Sequence, residues 1–155
     1  MKKTLSIFTL SSLFMISGCS TPTTPSTSDD SVHLKGIVEE YKSYTKINDS
    51  RVKSNQHGGI FVNTLINKTG IDSFRNKKYP YAEGSTVIKE GFDTETSDLS
   101  KIYVMKKIKG YDPQNGDWLY AMTDPSGKVQ MSGKIQMCIS CHVARKDKDY
   151  VFGFN

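Results

Sequence analysis

Apolar residues recur at helical spacing in the first part of the chain that carries a regular pattern. Four of these positions in succession are Leu34, Ile37, Val38 and Tyr41. Their spacing of three and four residues places the side chains on one face of an α-helix. Polar residues at positions 29–31 directly precede them and are suited to cap its N-terminus. The pattern therefore predicts an opening helix with one buried face.

The rest of the chain has the pattern of short strands separated by turns. Four runs are rich in β-branched and aromatic residues, and they span residues 59–66, 85–90, 101–108 and 117–123. Turn-forming residues interrupt the runs at 111–116 and 124–127, and a short helix is expected around 71–75. The pattern predicts a mainly β or α+β domain.

The N-terminus has the layout of an export signal. Two lysines at positions 2 and 3 precede an apolar stretch, and small residues then lead into Cys19. The tetrapeptide Ile16-Ser17-Gly18-Cys19 resembles a bacterial lipobox, which implies cleavage before Cys19 and lipidation of its thiol. A transmembrane anchor is the alternative, but the apolar run is shorter than the ~20 residues needed to cross a bilayer. We therefore predict that residues 1–18 are a lipoprotein signal peptide.

The segment after the signal peptide contains no hydrophobic residue beyond its cysteine. It is rich in Ser, Thr and Pro and includes two aspartates. Such a composition cannot bury enough apolar surface to offset the entropy of ordering the chain, so residues 19–31 are predicted to be a lipidated cysteine and a disordered tether. Residues 32–155 then form one domain, which is long enough for a single core around one cofactor.

Near its C-terminus the chain contains Cys138-Ile139-Ser140-Cys141-His142. This C-x-x-C-H spacing is typical of covalent attachment of a c-type haem. On a helix, residues three and four apart share a face, so both cysteines can bond one porphyrin while His142 turns its imidazole to the iron. A disulfide or half of a zinc site is the alternative, but the other histidines, His33 and His57, lie far upstream. We predict one covalent haem c with His142 as the proximal iron ligand.

The sequence offers no obvious second axial ligand. Small electron-transfer cytochromes c carry a methionine ligand downstream of the motif, but residues 143–155 contain no methionine. The methionines that precede the motif in the predicted mature protein are more typical of core filling, and they are Met105, Met122, Met131 and Met137. A helical-bundle cytochrome also ends with its haem motif, but the five prolines and the β-type runs fit poorly with four long helices. The sequence therefore favours an open sixth position.

Two further features concern the far side of such a haem. His57, before two glycines at the entrance of a predicted strand, is either a sixth ligand or a surface histidine. The aromatic residues Phe61, Phe74 and Phe92 are candidates for an apolar cap, although a role in the core is as plausible for each.

An ordered series of short motifs runs from residue 57 to residue 152. Its members are Gly84-Ser85-Thr86-Val87-Ile88-Lys89-Glu90, Val104-Met105-Lys106, Gly110-Tyr111-Asp112-Pro113, Gly116-Asp117-Trp118, the C-x-x-C-H pentapeptide and Asp149-Tyr150-Val151-Phe152. In this series the chain resembles the cytochrome P-460 family, which includes cytochrome c′-beta. It departs from the family at Ser85-Thr86, where Gly-Thr is usual.

The resemblance implies an α+β fold, with a small antiparallel β-sheet, flanking helices and the haem c motif on a short C-terminal helix. It also implies an exported homodimer that handles small nitrogen species. In members that oxidise hydroxylamine, a lysine is crosslinked to the porphyrin, and Lys89 occupies that position. Because neighbouring residues of a strand point to opposite faces, Glu90 faces away from the haem if Lys89 faces it.

Three functions follow as expectations from this combination. They are a hydroxylamine-oxidising oxidoreductase, a protein that binds or detoxifies nitric oxide, and a simple periplasmic electron-transfer cytochrome with a six-coordinate haem. The expected partners are small nitrogen species, a redox partner protein, a second copy of the chain and, through the lipid anchor, the periplasmic side of the outer membrane. The formal charge of +5 falls to +3 without the two lysines of the signal peptide, so a nucleic-acid partner is not expected.

Overall fold

The computed structural model of the protein describes residues 28–153. The predicted signal peptide, Cys19 and most of the predicted tether lie outside the described residues. Helix α1 (Ser28–Leu34) begins inside the stretch 19–31 that was expected to be disordered. Asp30 is only 2% exposed, and its carboxylate accepts a hydrogen bond of 2.8 Å from the Tyr111 hydroxyl. Residues 28–31, which the composition assigned to the tether, are therefore helical, and Asp30 has a partner in the domain.

Seven strands form one antiparallel sheet in this part of the chain. They are β1 (Thr45–Lys46), β2 (Val52–Ser54), β3 (Ile60–Ile66), β4 (Thr86–Phe92), β5 (Leu99–Lys107), β6 (Trp118–Thr123) and β7 (Val129–Gly133). The strand order is β1-β3-β4-β5-β6-β7, and β2 also pairs with β3. From β3 onward each strand pairs with the next one along the chain, so the sheet is a meander of local hairpins. The predicted fold class, a small antiparallel sheet with flanking helices, is confirmed.

The helices are short and begin or end at identifiable residues. The predicted opening helix is divided into α1 and α2 (Ile37–Glu40), because Gly36 between them has a left-handed φ of 73°. Helix α3 (Lys68–Asn76) is longer than the predicted 71–75, since the Asn67 side chain caps it by accepting a hydrogen bond of 3.0 Å from the Gly70 amide. Helix α4 (Gln136–His142) is followed by a 3₁₀ helix, Val143–Lys148. Within residues 28–153, no helix is both long and apolar enough to cross a membrane.

The sheet is covered by helices on both faces. On one face, apolar residues of α1 and α2 such as Leu34 and Ile37 pack with Ile88, Val104 and other sheet residues. On the other face, Ile71 of α3 and Ile139 of α4 belong to a cluster that includes Val87, Met105 and Trp118. Because Val87 and Ile88 are neighbours in β4, their membership of different clusters shows the strand alternation directly. Position 89 therefore lies on the face that α4 covers.

Candidate haem site

A row of side chains crosses the sheet on the face covered by α4. The antiparallel register places Lys89 of β4 opposite Tyr103 of β5, Tyr103 opposite Met122 of β6, and Met122 opposite Met131 of β7. These four residues form one wall of a cavity of about 410 Å³. The row forms because residues directly opposite one another on neighbouring strands point to the same face of the sheet.

Two other elements complete the cavity. The hairpin of β2 and β3 contributes residues that include Ser54, His57 and Val62. Helix α4 and its surroundings contribute Cys138, Cys141 and His142, with Phe152 near the end of the described chain. The C-x-x-C-H residues thus lie at the C-terminal end of α4 and border the same cavity as Lys89 and His57.

The His142 imidazole has different surroundings at its two nitrogens. Its Nδ1 lies 2.7 Å from the Tyr150 carbonyl oxygen. Because a carbonyl can only accept, Nδ1 carries the proton and Nε2 keeps its lone pair. Burial and, to a smaller extent, the charge of Lys89 lower the pKa of His142 to about 4, despite the opposing effect of this hydrogen bond. A neutral imidazole oriented through a backbone carbonyl is the form in which histidine binds metals.

A buried ion pair holds the backbone that orients His142. Lys107 Nζ lies 2.7 and 2.6 Å from the two carboxylate oxygens of Asp149, and both side chains are buried. The same carboxylate accepts a hydrogen bond of 2.8 Å from the Tyr81 amide, and the Asp149 carbonyl accepts one of 2.9 Å from Trp118 Nε1. Asp149 and Tyr150 have left-handed φ angles of 52° and 68°, a conformation that costs energy in residues other than glycine. These contacts fix the conformation that presents the Tyr150 carbonyl to His142.

Lys89 is placed in the cavity, where the resemblance put a haem contact. Its Nζ lies 5.6 Å from the centroid of the Phe152 ring. Burial lowers the pKa of Lys89 to about 8. Glu90 faces the opposite side of the sheet, where its carboxylate accepts hydrogen bonds of 3.2 Å from the Tyr41 hydroxyl and 3.0 Å from Asn63 Nδ2. The structure thus brings Lys89 beside the C-x-x-C-H residues; whether it bonds a porphyrin stays a prediction.

The two cysteines of the motif form no disulfide and lie in different environments. Cys138 is half-buried and Cys141 is exposed. Burial, with a smaller contribution from Cys141, raises the pKa of Cys138 to about 11. Because metals bind the thiolate, this environment does not favour a zinc site. Among residues 28–153, moreover, no three His, Cys, Asp or Glu side chains come together as a set of metal ligands.

His57 borders the cavity, although the sequence left its place open. It ends a 3₁₀ helix, Asn55–His57, and Gly58 and Gly59 follow with φ angles of 78° and 77°. Its Nδ1 lies 2.8 Å from the Ser54 hydroxyl, and its ring packs edge-on to Tyr103 at a centroid distance of 4.7 Å. Burial, then the charges of Lys89 and His142, lowers the pKa of His57 to about 4. His57 is therefore a half-buried neutral imidazole in the site.

The three phenylalanines considered for an apolar cap lie away from the cavity. Of the residues that the structure describes, Phe61, Phe74 and Phe92 do not line the cavity, whereas Phe152 does. Phe92 is instead covered by the Arg51 guanidinium, 3.4 Å from its ring centroid. The cavity lining from residues 28–153 also contains no Asp or Glu.

These residues fit a haem bound through the C-x-x-C-H motif. Both cysteines and the free Nε2 of an oriented histidine meet at a largely apolar cavity, which has aromatic side chains on its walls. In this arrangement Cys138 and Cys141 would hold the porphyrin covalently and His142 would hold the iron. The donor set and the lining therefore agree with the cofactor that the motif predicts.

The family comparison covers the whole of this site. The family model described as Cytochrome P460 matches residues 38–153. No match is found among curated proteins. The match spans the sheet, α3, α4 and every cavity residue described above. The chain therefore belongs to the cytochrome P460 family, which implies a cytochrome with a haem cofactor.

Proposed function

We propose that this protein is an exported, lipid-anchored cytochrome with one covalent haem c, acting on small nitrogen species at an open axial position. The observation that carries the proposal is the environment of His142. Its Nδ1 donates to the Tyr150 carbonyl, while the ring borders the cavity shared with both cysteines and Lys89. Haem iron held through one histidine supplies a redox-active metal whose opposite axial position can take a small ligand.

The chain's own residues have separate tasks in this proposal. Cys138 and Cys141 attach the cofactor, and the Tyr150 carbonyl keeps the His142 ring in the tautomer that binds iron. The Tyr120 and Phe152 rings hold the imidazole edge-on, at centroid distances of 5.3 and 5.2 Å. The half-buried, largely apolar lining limits the access of water to the ligand position.

Lys89 favours the hydroxylamine-oxidising branch of the proposal. An amine acts as a nucleophile only when it is neutral, and burial moves the pKa of Lys89 from 10.5 to about 8. A lysine in this state beside the attachment cysteines is suited to bond the porphyrin, as in family members that oxidise hydroxylamine. The new N–C bond would replace a porphyrin C–H bond with release of two protons and two electrons, which an added oxidant of the peroxide class would take up. Binding or detoxification of nitric oxide is the function proposed if no such bond forms.

A simple electron-transfer cytochrome is the second candidate. The observation that favours it is His57, whose imidazole borders the same cavity as His142. If His57 bound the iron, the haem would be six-coordinate and closed to small ligands. The absorption spectrum distinguishes the two functions, because an open site gives a high-spin haem and two histidine ligands give a low-spin one.

The first test concerns attachment. Thioether bonds survive denaturation, so haem should stay with the polypeptide in a denaturing gel and resist acid-acetone extraction. Replacing both Cys138 and Cys141 with Ala should abolish this covalent haem. Extraction of haem from the unsubstituted protein would contradict the proposal. The ferrous protein should then bind carbon monoxide and nitric oxide without first losing a protein ligand.

The cellular location and the partners of the protein are proposed from its sequence. The lipobox that ends at Cys19 supports anchoring on the periplasmic side of a membrane, in particular the outer membrane. A homodimer and a redox partner protein are proposed from the family resemblance.

A further inference from the structure

The cavity contains a half-buried histidine, His57, that the tasks above leave without a role. The two cysteines and His142 are assigned to the haem, and Lys89 to its edge. His57 is brought to the same space by a different element, the hairpin of β2 and β3. It also borders a smaller recess of about 40 Å³, which is shared with Lys89, Tyr103, Cys138 and His142. His57 therefore borders both the main cavity and the smaller recess.

The His57 ring is held so that one nitrogen remains available. Ser54 Oγ lies 2.8 Å from Nδ1, and the Tyr103 ring packs against the imidazole. Nε2 has no hydrogen-bond partner among residues 28–153. The left-handed glycines Gly58 and Gly59 then turn the chain directly into β3, which fixes where the 3₁₀ helix ends.

The Ser54 hydroxyl gives this nitrogen two possible roles. A hydroxyl both donates and accepts, so it can pair with either tautomer of the imidazole. When the hydroxyl donates to Nδ1, Nε2 carries a proton and can donate to a ligand. When Nδ1 donates to the hydroxyl, Nε2 can accept a hydrogen bond from a ligand. The pair thus presents a neutral group that matches ligands with both kinds of hydrogen-bonding atom.

The rest of the lining gives a ligand few comparable partners. No Asp or Glu among residues 28–153 lines the cavity, and many of the other lining side chains are apolar, including Val62, Met131 and Phe152. A buried donor or acceptor without a partner is costly, so a protic ligand in such a space depends strongly on neutral groups such as His57 that can meet it. A diatomic ligand without N–H or O–H bonds has much less to gain from that group.

We infer that His57 determines ligand specificity at the open axial position, and that through Nε2 it hydrogen-bonds protic nitrogen-oxygen ligands of the hydroxylamine type. The inference rests on the proposed function and names the residue that would distinguish its protic ligands, which carry N–H or O–H groups, from diatomic ligands without them. In this role His57 contacts the ligand and leaves the iron to His142 alone. The low pKa caused by burial keeps the imidazole neutral and agrees with this role.

Equilibrium binding to the purified holoprotein tests the inference. Hydroxylamine is titrated into the ferric form and carbon monoxide into the ferrous form, and both are followed by absorbance. We expect His57→Leu to weaken hydroxylamine binding about tenfold, as for one lost buried hydrogen bond, and to change carbon monoxide binding about twofold at most. His57→Gln, whose amide also donates and accepts, should recover part of the loss. Ser54→Ala should weaken hydroxylamine binding by a smaller factor.

A matched control and a second readout separate this role from a structural one. Asn55 is an exposed polar residue of the same 3₁₀ helix and does not line the cavity, so Asn55→Ala should leave both affinities unchanged. The C–O stretching frequency of the carbon monoxide complex should rise in His57→Leu and stay constant in Asn55→Ala, because it responds to a hydrogen bond at the ligand.

The possible failures are distinguishable. A covalent haem with hydroxylamine affinity unchanged by His57→Leu overturns the inference and leaves the proposed function intact. A low-spin wild-type haem that becomes high-spin in His57→Leu also overturns it, because His57 is then the sixth ligand. Absence of covalent haem in the unsubstituted protein overturns the proposed function and the inference together.

Discussion

Three basic side chains that line the cavity are all partly withdrawn from water, and this burial lowers the pKa of each. His57, Lys89 and His142 each have a pKa lowered mainly by burial, and the charge of Lys89 lowers the pKa of both histidines further. At neutral pH both imidazoles are uncharged, which is the form that binds iron or exchanges hydrogen bonds. The pKa of Lys89 is about 8, so its charge changes with pH over a range in which the histidines stay neutral.

The lowered pKa of His57 predicts a measurable dependence of stability on pH. Unfolding restores the ordinary pKa of 6.5 from about 4, so between these values the unfolded state binds the proton and the folded state does not. Stability from this source is complete above pH 6.5 and is lost as the pH falls toward 4. Over that window, His57→Gln should reduce the fall in the free energy of unfolding by about 2 kcal/mol, after allowance for partial exposure. Denaturant unfolding at several pH values measures this free energy for both proteins. Parallel plots of the free energy of unfolding against pH for variant and wild type would contradict the prediction.

Lys89 gives a second prediction at the scale of single bonds. If its amine bonds the porphyrin, proteolysis should release the Lys89 peptide joined to the Cys138–His142 peptide through one haem. Mass spectrometry of the digest detects the joined species. Lys89→Arg is the control, since it keeps the charge but not the nucleophilic amine, and it should give only the peptide that carries the motif. Full recovery of an unmodified Lys89 peptide from the wild type would exclude the bond and favour nitric oxide binding.

At the scale of elements, the central strands were predictable and the edges of the fold were not. Strands β3 to β6 are rich in branched and aromatic residues, so each falls close to its predicted range. Strand β7 was missed because Val129-Gln130-Met131-Ser132-Gly133 lacks such a run, and it forms by pairing with β6. β1 and β2 have two and three residues and are too short to show a period.

The segment after α4 acts as one unit with the buried pair Lys107–Asp149. We predict that Asp149→Asn reduces the free energy of unfolding by about 3–5 kcal/mol, because it leaves the Lys107 charge buried without its partner. Asparagine tolerates the left-handed backbone at this position, so the loss reports on the charge. The haem spectrum and reduction potential should shift as well, since the same segment carries the Tyr150 carbonyl that orients His142.

Two variants check this explanation. Asp147 is an exposed carboxylate two residues away, and Asp147→Asn should leave both stability and spectrum unchanged. Combining Lys107→Met with Asp149→Asn removes both charges and should recover part of the stability that the single variant loses. A stable Asp149→Asn protein with an unchanged spectrum would show that the ion pair does not support the histidine.

At the scale of the whole molecule, the site joins segments that are far apart in the sequence. The C-x-x-C-H spacing is local, so the sequence alone identified Cys138, Cys141 and His142 as candidates. The place of His57 depends on β2, β3, β4 and β5 pairing in a particular register, which no local pattern encodes. Lys89 could be predicted as a site residue only through the family resemblance, because a lysine in a strand is ordinarily solvated.

The predicted anchor is tested on the full-length protein in a bacterial host. Cys19→Ser removes the thiol that would carry the lipid, so the protein should move from the membrane fraction to the soluble periplasmic fraction. Ser20→Ala is the matched control and should remain with the membrane. Labelling with a radioactive fatty acid should mark the wild type and the control but not Cys19→Ser. Equal fractionation of all three would contradict the predicted lipidation.

The placement of Lys89 beside Cys138 also has a consequence for the denatured chain. The two residues are separated by about fifty positions, and a porphyrin bonded to both would keep that loop closed after every native contact is lost. By the chain-entropy relation used for disulfides, closing a loop of this length lowers the conformational entropy of the unfolded chain. The free energy of the unfolded state then rises by about 4 kcal/mol. The cofactor would then stabilise the fold as a covalent crosslink. A crosslinked molecule would stay folded at temperatures and denaturant concentrations that unfold the same protein when its haem is bonded to the cysteines alone.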